Sequence, residues 1–256
     1  MQSICADLEA EHADLDQLVS HLSDEQWELA TPADGWAVRD QISHLWYFDQ
    51  QALLALTDAD AFAQAAEQLL ASGDTSASVE PGRSLASRDL LTAWRDGRRQ
   101  LVAFARTVDP ATRVPWYGPA MAAKSFITAR LMESWAHGQD IADAIDVQRV
   151  PTSRLKHVAH IGVRARPFAY MINGLELPPT DVLVELTAPD GSLWQWGESG
   201  SDSVRGPAVD FCLLVTQRRH LLDTELQVEG ERAKQWVGIA QAFAGPPGGG
   251  RPPRAS

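Results

Sequence analysis

Apolar residues in the N-terminal half recur at three- and four-residue spacings, the pattern of helices that bury one face. Ile4, Leu8, Leu15, Leu18, Val19 and Leu22 predict a helix over residues 3–22. The cluster Thr31-Pro32-Ala33-Asp34-Gly35 reads as a turn. A second helix is expected over 36–56, on the stripe Val38, Ile42, Leu45, Trp46, Leu53 and Leu56. A short helix near 60–71 leads into a loop at 72–76. A third long helix starts near Ser84 and stops before Asp109-Pro110, and a fourth covers 120–144. Between them, Val114 to Pro119 reads as an irregular aromatic loop with Trp116 and Tyr117 placed to shape a pocket mouth or simply to pack. Four long helices joined in this way predict an antiparallel bundle.

The pattern changes after Val150-Pro151-Thr152. A helix is expected over 153–173. Val182-Leu183-Val184-Glu185-Leu186 and Ser192-Leu193-Trp194-Gln195-Trp196, on either side of Ala188-Pro189-Asp190-Gly191, predict a β-hairpin. A helix over 207–219, a strand over 224–228 and a last helix over 231–243 complete a smaller unit. The tail from Gly245 is rich in Pro and Gly and is expected to be disordered. The fold class is therefore α+β overall: a helical bundle domain at 1–147, a small α+β domain at 152–244, and a tail at 245–256.

Composition narrows the function classes. The chain is 256 residues long and 45% hydrophobic, enough to bury a sizeable core. Its net charge is −12 and it has no basic run, a poor match to phosphate backbones or anionic membranes. No apolar stretch reaches the roughly 18 residues that a membrane helix needs. The acidic, amphipathic start lacks the regions of a signal peptide. These features predict a cytoplasmic protein, a monomer or homodimer, with neither nucleic acid nor membrane as partner. Cys5 and Cys212 are too few for an iron–sulfur cluster or a Cys-rich zinc site, and read as small buried hydrophobes.

The chemistry concentrates in two helices. Glu133-Ser134-Trp135-Ala136-His137 sets a carboxylate and an imidazole at i and i+4, on one face and one turn apart. His44 shares a face of the second helix with Ala37, Gln41, Phe48 and Ala52. Facing helices of a bundle can bring such groups to one metal ion. Spacing alone favours plainer readings: a surface pair for Glu133 and His137, a core histidine for His44. Asp140 and Asp143 follow on the same helix, and Asp140 could orient His137 or a bound water. Arg130 reads as a surface ion pair more readily than as an orienting group for Glu133. Ser199 is not in a nucleophile elbow.

Two ordered motifs shift the balance: Asp34-Gly35-Trp36-x-Val38-x-Asp40-x-x-x-His44-Leu45, then Met132-Glu133-x-Trp135-Ala136-His137-Gly138-Gln139-Asp140-Ile141-Ala142-Asp143. They resemble the metal-binding domain of the mycothiol-dependent maleylpyruvate isomerase group, within the DinB-like superfamily. The later segment, Arg205-Gly206-Pro207 through Thr216-Gln217-Arg218, resembles the sterol-carrier-like domain attached to such proteins. The resemblance implies a divalent metal on His44, Glu133 and His137. Zinc is the first choice, with iron, cobalt or nickel suited to the same donors. Three ligands leave positions open, the catalytic arrangement. The resemblance also implies mycothiol as co-substrate and a small-molecule substrate. It places a required arginine at Arg218, with Arg219 beside it as the alternative for binding the thiol. The family's pattern there ends in Gly-Arg, and Gln217 departs from it. The implied activity is a thiol-dependent isomerase or S-transferase acting on a small electrophilic carboxylic acid. The alternative is a metal-binding or apolar-ligand-binding module without catalysis.

Overall fold

The computed structural model describes every residue except Asp74, Thr75, Ser199, Ala255 and Ser256, so the expected loop at 72–76 and the Ser199 position lie partly or wholly outside the described residues. The chain divides into two compact units, Met1–Arg149 and Val150–Ser256.

In the first unit the helices are α1 (Gln2–Val19), α2 (Asp24–Trp27), α3 (Val38–Thr57), α4 (Ala59–Ser72), α5 (Glu80–Arg83), α6 (Ser87–Ala105) and α7 (Ala123–Ala144). Local chemistry sets their ends. Ser23 opens α2 with a capping box: its hydroxyl accepts from Gln26 N, while Gln26 Oε1 accepts from Ser23 N at 2.9 Å. Asp58 closes α3 and starts α4, its carboxylate accepting from Ala61 N at 3.0 Å. The aromatic loop is pinned by two short strands, β1 (Arg113–Val114) and β2 (Met121–Ala122), paired antiparallel.

The core joins the long helices: Leu15, Val19, Val38, Ile42, Leu45, Leu90, Trp94 and Ile141 form one buried cluster. Contacts also fix directions. Gln41 meets His137 and Asp49 meets Arg130, so α3 and α7 are antiparallel. His12 meets Arg98 and Gln2 meets Arg106, so α1 and α6 are antiparallel. Arg39 meets Leu85 and Trp46 lies against Gly97, so α3 and α6 run the same way. The reason is the long return through α4 and α5, which brings the chain back to the end where α3 began.

Arg130 corrects its sequence reading. It is 3% exposed, and its Nε and Nη2 donate to Asp49 Oδ1 at 3.0 and 2.9 Å. Asp49 is fully buried. Burial pushes its carboxyl pKa up, against the opposing pull of Arg130. His12 is buried nearby, its pKa driven down by burial and then by Arg98 and Arg130. Spacing could not find this pair, because a charged residue on a helix face is ordinarily solvated.

In the second unit the expected helix over 153–173 is two, α8 (Leu155–Arg164) and α9 (Arg166–Ile172). Pro167, in the first turn of α9, has no N–H to continue the α8 ladder. The hairpin forms as β3 (Leu183–Thr187) and β4 (Leu193–Trp196). A strand without clear alternation, β5 (Ser203–Pro207), pairs parallel to β3. It is followed by α10 (Ala208–Val215), β6 (Gln227–Glu229) and α11 (Glu231–Ile239). The sheet order is β4-β3-β5-β6. Gly162 lets α8 approach α10, since a Cβ there would stand 2.7 Å from Val215 Cγ2. Residues 245–254 carry no helix or strand, yet hydrogen bonds join them to the rest of this unit. Among the described residues no helix is long and apolar enough to cross a membrane.

Removing one half of the Asp49–Arg130 pair leaves a buried charge. Arg130→Met should therefore lower unfolding free energy by about 3–5 kcal/mol. Adding Asp49→Leu should recover most of that loss. Denaturant midpoints of the three proteins check this, and a double variant as unstable as the single one would contradict it.

Candidate metal centre

His44 comes from α3, and Glu133 and His137 from α7. Each offers a ligand atom, and these atoms all lie within 4.8 Å of one another. His137 Nε2 stands 3.3 Å from Glu133 Oε2, and the imidazole rings of His44 and His137 are 4.6 Å apart. The antiparallel crossing of α3 on α7 makes this meeting possible. His137 is buried and Glu133 is partly exposed, so the group opens on its carboxylate side.

A chain of hydrogen bonds sets the His137 tautomer. The Trp36 carbonyl can only accept, and it takes the Thr31 hydroxyl proton at 2.9 Å. Thr31 Oγ1 then accepts from Gln41 Nε2 at 2.8 Å, which turns Gln41 Oε1 toward His137. That oxygen lies 2.5 Å from His137 Nδ1, so Nδ1 carries the proton and donates it. The Nε2 lone pair is left facing Glu133. His44 Nδ1 lies 3.0 Å from Ser78 Oγ, which places a hydroxyl at its second nitrogen. Histidines on metals are ordinarily oriented through their second nitrogen in this way. Gln41 is the partner of His137 Nδ1. Asp140 is buried on α7, one turn beyond His137.

The supports are built into the fold. Ser43, next to His44, donates to the carbonyls of Ser78 and Val79 at 2.9 and 3.1 Å and accepts from Gly82 N at 3.0 Å. A Cβ on Gly82 would stand 2.3 Å from Ser43 Cβ, so only glycine permits this contact. Arg83 grips Asp40 through Nε and Nη2 at 2.8 and 3.0 Å, tying α5 to the start of α3. Gly35, at φ +71°, turns the chain so that Trp36 lies over both histidines, its ring 5.0 Å from His44 and stacked 6.0 Å from His137. Phe48 packs 4.6 Å from His44 and extends the aromatic wall to Trp116 and Tyr117. Sequence reasoning placed Gln41 on the His44 face without giving it a role. It had no signal for Ser78, which lies far along the chain in an irregular segment.

Two nitrogens and one carboxylate oxygen, preset on their ligand sides, fit a divalent ion with open positions. The model of the mycothiol maleylpyruvate isomerase N-terminal domain family matches residues 8–142, more than half the chain and all three of these residues. The chain belongs to that family. Similar proteins include uncharacterized proteins of two Mycobacterium tuberculosis strains, CDC 1551 / Oshkosh and ATCC 25618 / H37Rv. Each is 46% identical over 249 residues, covering 96% of this chain and 97% of theirs. The fold is shared with a crystal structure of the mycothiol-dependent maleylpyruvate isomerase at a TM-score of 0.58, 13% identity, and coverage of 85% of this chain and 89% of that one. A His-to-Ala variant of that enzyme gives a TM-score of 0.59 at 12% identity, over 89% and 92%.

Arg218 and Arg219 lie in the second unit, on the turn after α10. Arg218 Nη1 donates to the Thr216 carbonyl at 2.6 Å, and Arg219 Nη1 donates to the Arg218 carbonyl at 2.7 Å.

Gln41→Leu keeps the side-chain volume and removes the acceptor for His137 Nδ1. Divalent-metal affinity should fall by roughly 10–100-fold with the fold intact. Competitive titration against a chromophoric chelator measures this, and an unchanged affinity would show that Gln41 does not set the ligand.

Proposed function

We propose that this protein is a metalloenzyme dependent on a low-molecular-weight thiol, an isomerase or S-transferase acting on a small electrophilic carboxylic acid. The observation that carries the reading is the convergence of His44, Glu133 and His137 with both histidine Nδ1 atoms engaged elsewhere. Family membership supports it, because structural neighbours include the mycothiol-dependent maleylpyruvate isomerase. The donor set suits zinc first, and also iron, cobalt or nickel. When bound, such an ion supplies Lewis-acid chemistry that lowers the pKa of a thiol or water near neutral pH.

The chain's own residues do the rest. Gln41 holds His137 in the ligating tautomer, and Ser78 steadies the His44 ring through Nδ1. Trp36 and Phe48 wall the histidines with aromatic surface and keep water from that side. Arg218 holds a substrate carboxylate through charge-assisted hydrogen bonds. In the isomerase form, the thiol sulfur bonds to one carbon of an activated double bond, the remaining single bond rotates, and expulsion of the thiol restores the double bond. The thiol is regenerated, so the reaction needs no oxidant or reductant. In the transferase form, the sulfur–carbon bond is kept and the neighbouring carbon takes up the proton that the thiol gave up.

Elemental analysis of protein purified without an affinity tag should return about one divalent ion per chain, lost in His44→Ala and His137→Ala. After Co²⁺ substitution, the visible spectrum should shift when mycothiol is added. Absence of stoichiometric metal, together with no effect of added metal on melting, would end the reading. Arg218→Ala should lower kcat/KM by roughly tenfold or more while the Co²⁺ spectrum stays unchanged.

A further inference from the structure

Residues 78–83 run along the start of α3 as a polar zipper. The order is antiparallel. As the number rises on α3 through Asp40, Ser43 and His44, it falls on the segment from Arg83 through Gly82 and Val79 to Ser78. Asp40, Ser43 and His44 stand at i, i+3 and i+4, so they share one face of the helix. Three rungs result, and the last of them is a metal-ligating histidine.

The first rung is charged. Arg83 Nε and Nη2 fork onto the buried Asp40 carboxylate at 2.8 and 3.0 Å, a geometry that fixes direction as well as distance. The other Arg83 bonds, to Glu80 Oε1 at 3.1 Å and the Gly35 carbonyl at 3.5 Å, are exposed. The second rung is the fully buried Ser43 hydroxyl, which shares its proton between the Ser78 and Val79 carbonyls and accepts from Gly82 N. No side chain fits at position 82, where a Cβ would stand 2.3 Å from Ser43 Cβ. The third rung is Ser78, itself buried, with Oγ 3.0 Å from His44 Nδ1. Ser78 lies in a turn outside any helix or strand, so its position depends on the rungs that dock the segment.

We propose that Arg83 and Gly82 are positioning residues for the metal centre, acting on the His44 ring through Ser78. This rests on the reading of His44, Glu133 and His137 as a metal site. An imidazole that can turn about its Cβ–Cγ bond must be ordered as it ligates. One that is already held loses less freedom, so a docked segment raises metal affinity. The zipper bears on His44, whereas His137 is oriented by Gln41.

The test uses the full chain and measures Co²⁺ affinity by competition with a chromophoric chelator, together with the Co²⁺ visible bands and the melting temperature. Ser78→Ala removes the last rung and should weaken Co²⁺ binding by roughly tenfold or more. Arg83→Met should weaken it by about as much, and Arg83→Lys should recover part of the loss. Gly82→Ala removes no hydrogen-bonding group, yet should weaken binding comparably by pushing the segment off Ser43. The Co²⁺ bands should shift in Ser78→Ala, Arg83→Met and Gly82→Ala. The double variant Arg83→Met/Ser78→Ala should bind no more weakly than Ser78→Ala alone, because both changes act on one path. A merely structural Arg83 would lower the melting temperature and leave affinity and bands unchanged, and that result overturns the proposal. A double variant whose loss is the sum of the single losses overturns it too. If Arg83→Met does not fold, Gly82→Ala combined with Ser78→Ala gives the same cycle. A wild type that binds no divalent ion removes the metal reading itself, and the proposal with it. If the wild type binds Co²⁺ and Ser78→Ala weakens it while Arg83→Met and Gly82→Ala do not, the metal reading stands and the positioning role alone falls.

Discussion

The register of α3 against α7 is the constraint on which the rest depends. A ligand set drawn from two helices converges only if one helix is neither slid nor rotated against the other. Two buried polar links fix that register about two turns apart: Gln41 to His137, and Asp49 to Arg130. The ion pair adds little net stability, because desolvating both charges offsets most of their attraction. Its geometry is specific, however. A shifted register would leave Asp49 and Arg130 buried and unpaired, a far larger loss than slipping a purely apolar seam. Apolar packing at Ile42, Leu45 and Ile141 supplies the driving force, and the polar links select which apolar packing is used.

The sequence string at Asp34–Leu45 becomes a set of mechanical parts once the contacts are known. Gly35 makes the left-handed turn, Trp36 supplies both a ring over the histidines and the carbonyl that starts the proton chain, and Val38 enters the core. Asp40 accepts from Ala37 N at 2.9 Å and takes the Arg83 fork, so one carboxylate starts α3 and anchors α5. Anchoring α5 holds Ser78 beside His44. In the α7 string, Gly138 leaves room for the Arg149 guanidinium, which donates to the Trp135 carbonyl at 2.8 Å and pairs with the buried Glu11 of α1.

Much of this was legible in the residues, and the remainder has physical reasons for being hidden. The long helices follow from apolar spacing, because one-sided burial leaves a period in the sequence. The hairpin of β3 and β4 follows from alternation around Pro189-Asp190-Gly191. The strand β5 leaves no such trace: Ser203, Arg205, Gly206 and Pro207 are poor strand residues, and its parallel pairing to β3 is set by tertiary contact. The break between α8 and α9 was written in Pro167, but proline is tolerated in a helix's first turn, so a single apolar stripe masked it. His44, Glu133 and His137 stood out by type and order. Gln41 and Ser78 did not, since amides and hydroxyls are common everywhere and acquire meaning only from what they face.

The neutral character of those two partners bears on what the site can attract. Histidine ligands are often backed by carboxylates, which raise the basicity of the imidazole and lower the net charge around the ion. Here the Nδ1 partners are an amide and a hydroxyl, so among the three ligands Glu133 alone carries charge. A divalent ion held by two neutral imidazoles and one carboxylate would retain a net charge of about +1. The aromatic wall of Trp36 and Phe48 lowers the local dielectric and strengthens that charge's field on the open side. A thiolate would suit such a centre. It is anionic, soft and able to neutralise the remaining charge without a second protein carboxylate. The donor set, the neutral supports and the apolar wall would suit the same occupant, and α3 carries a part of each in His44, Gln41 and Phe48.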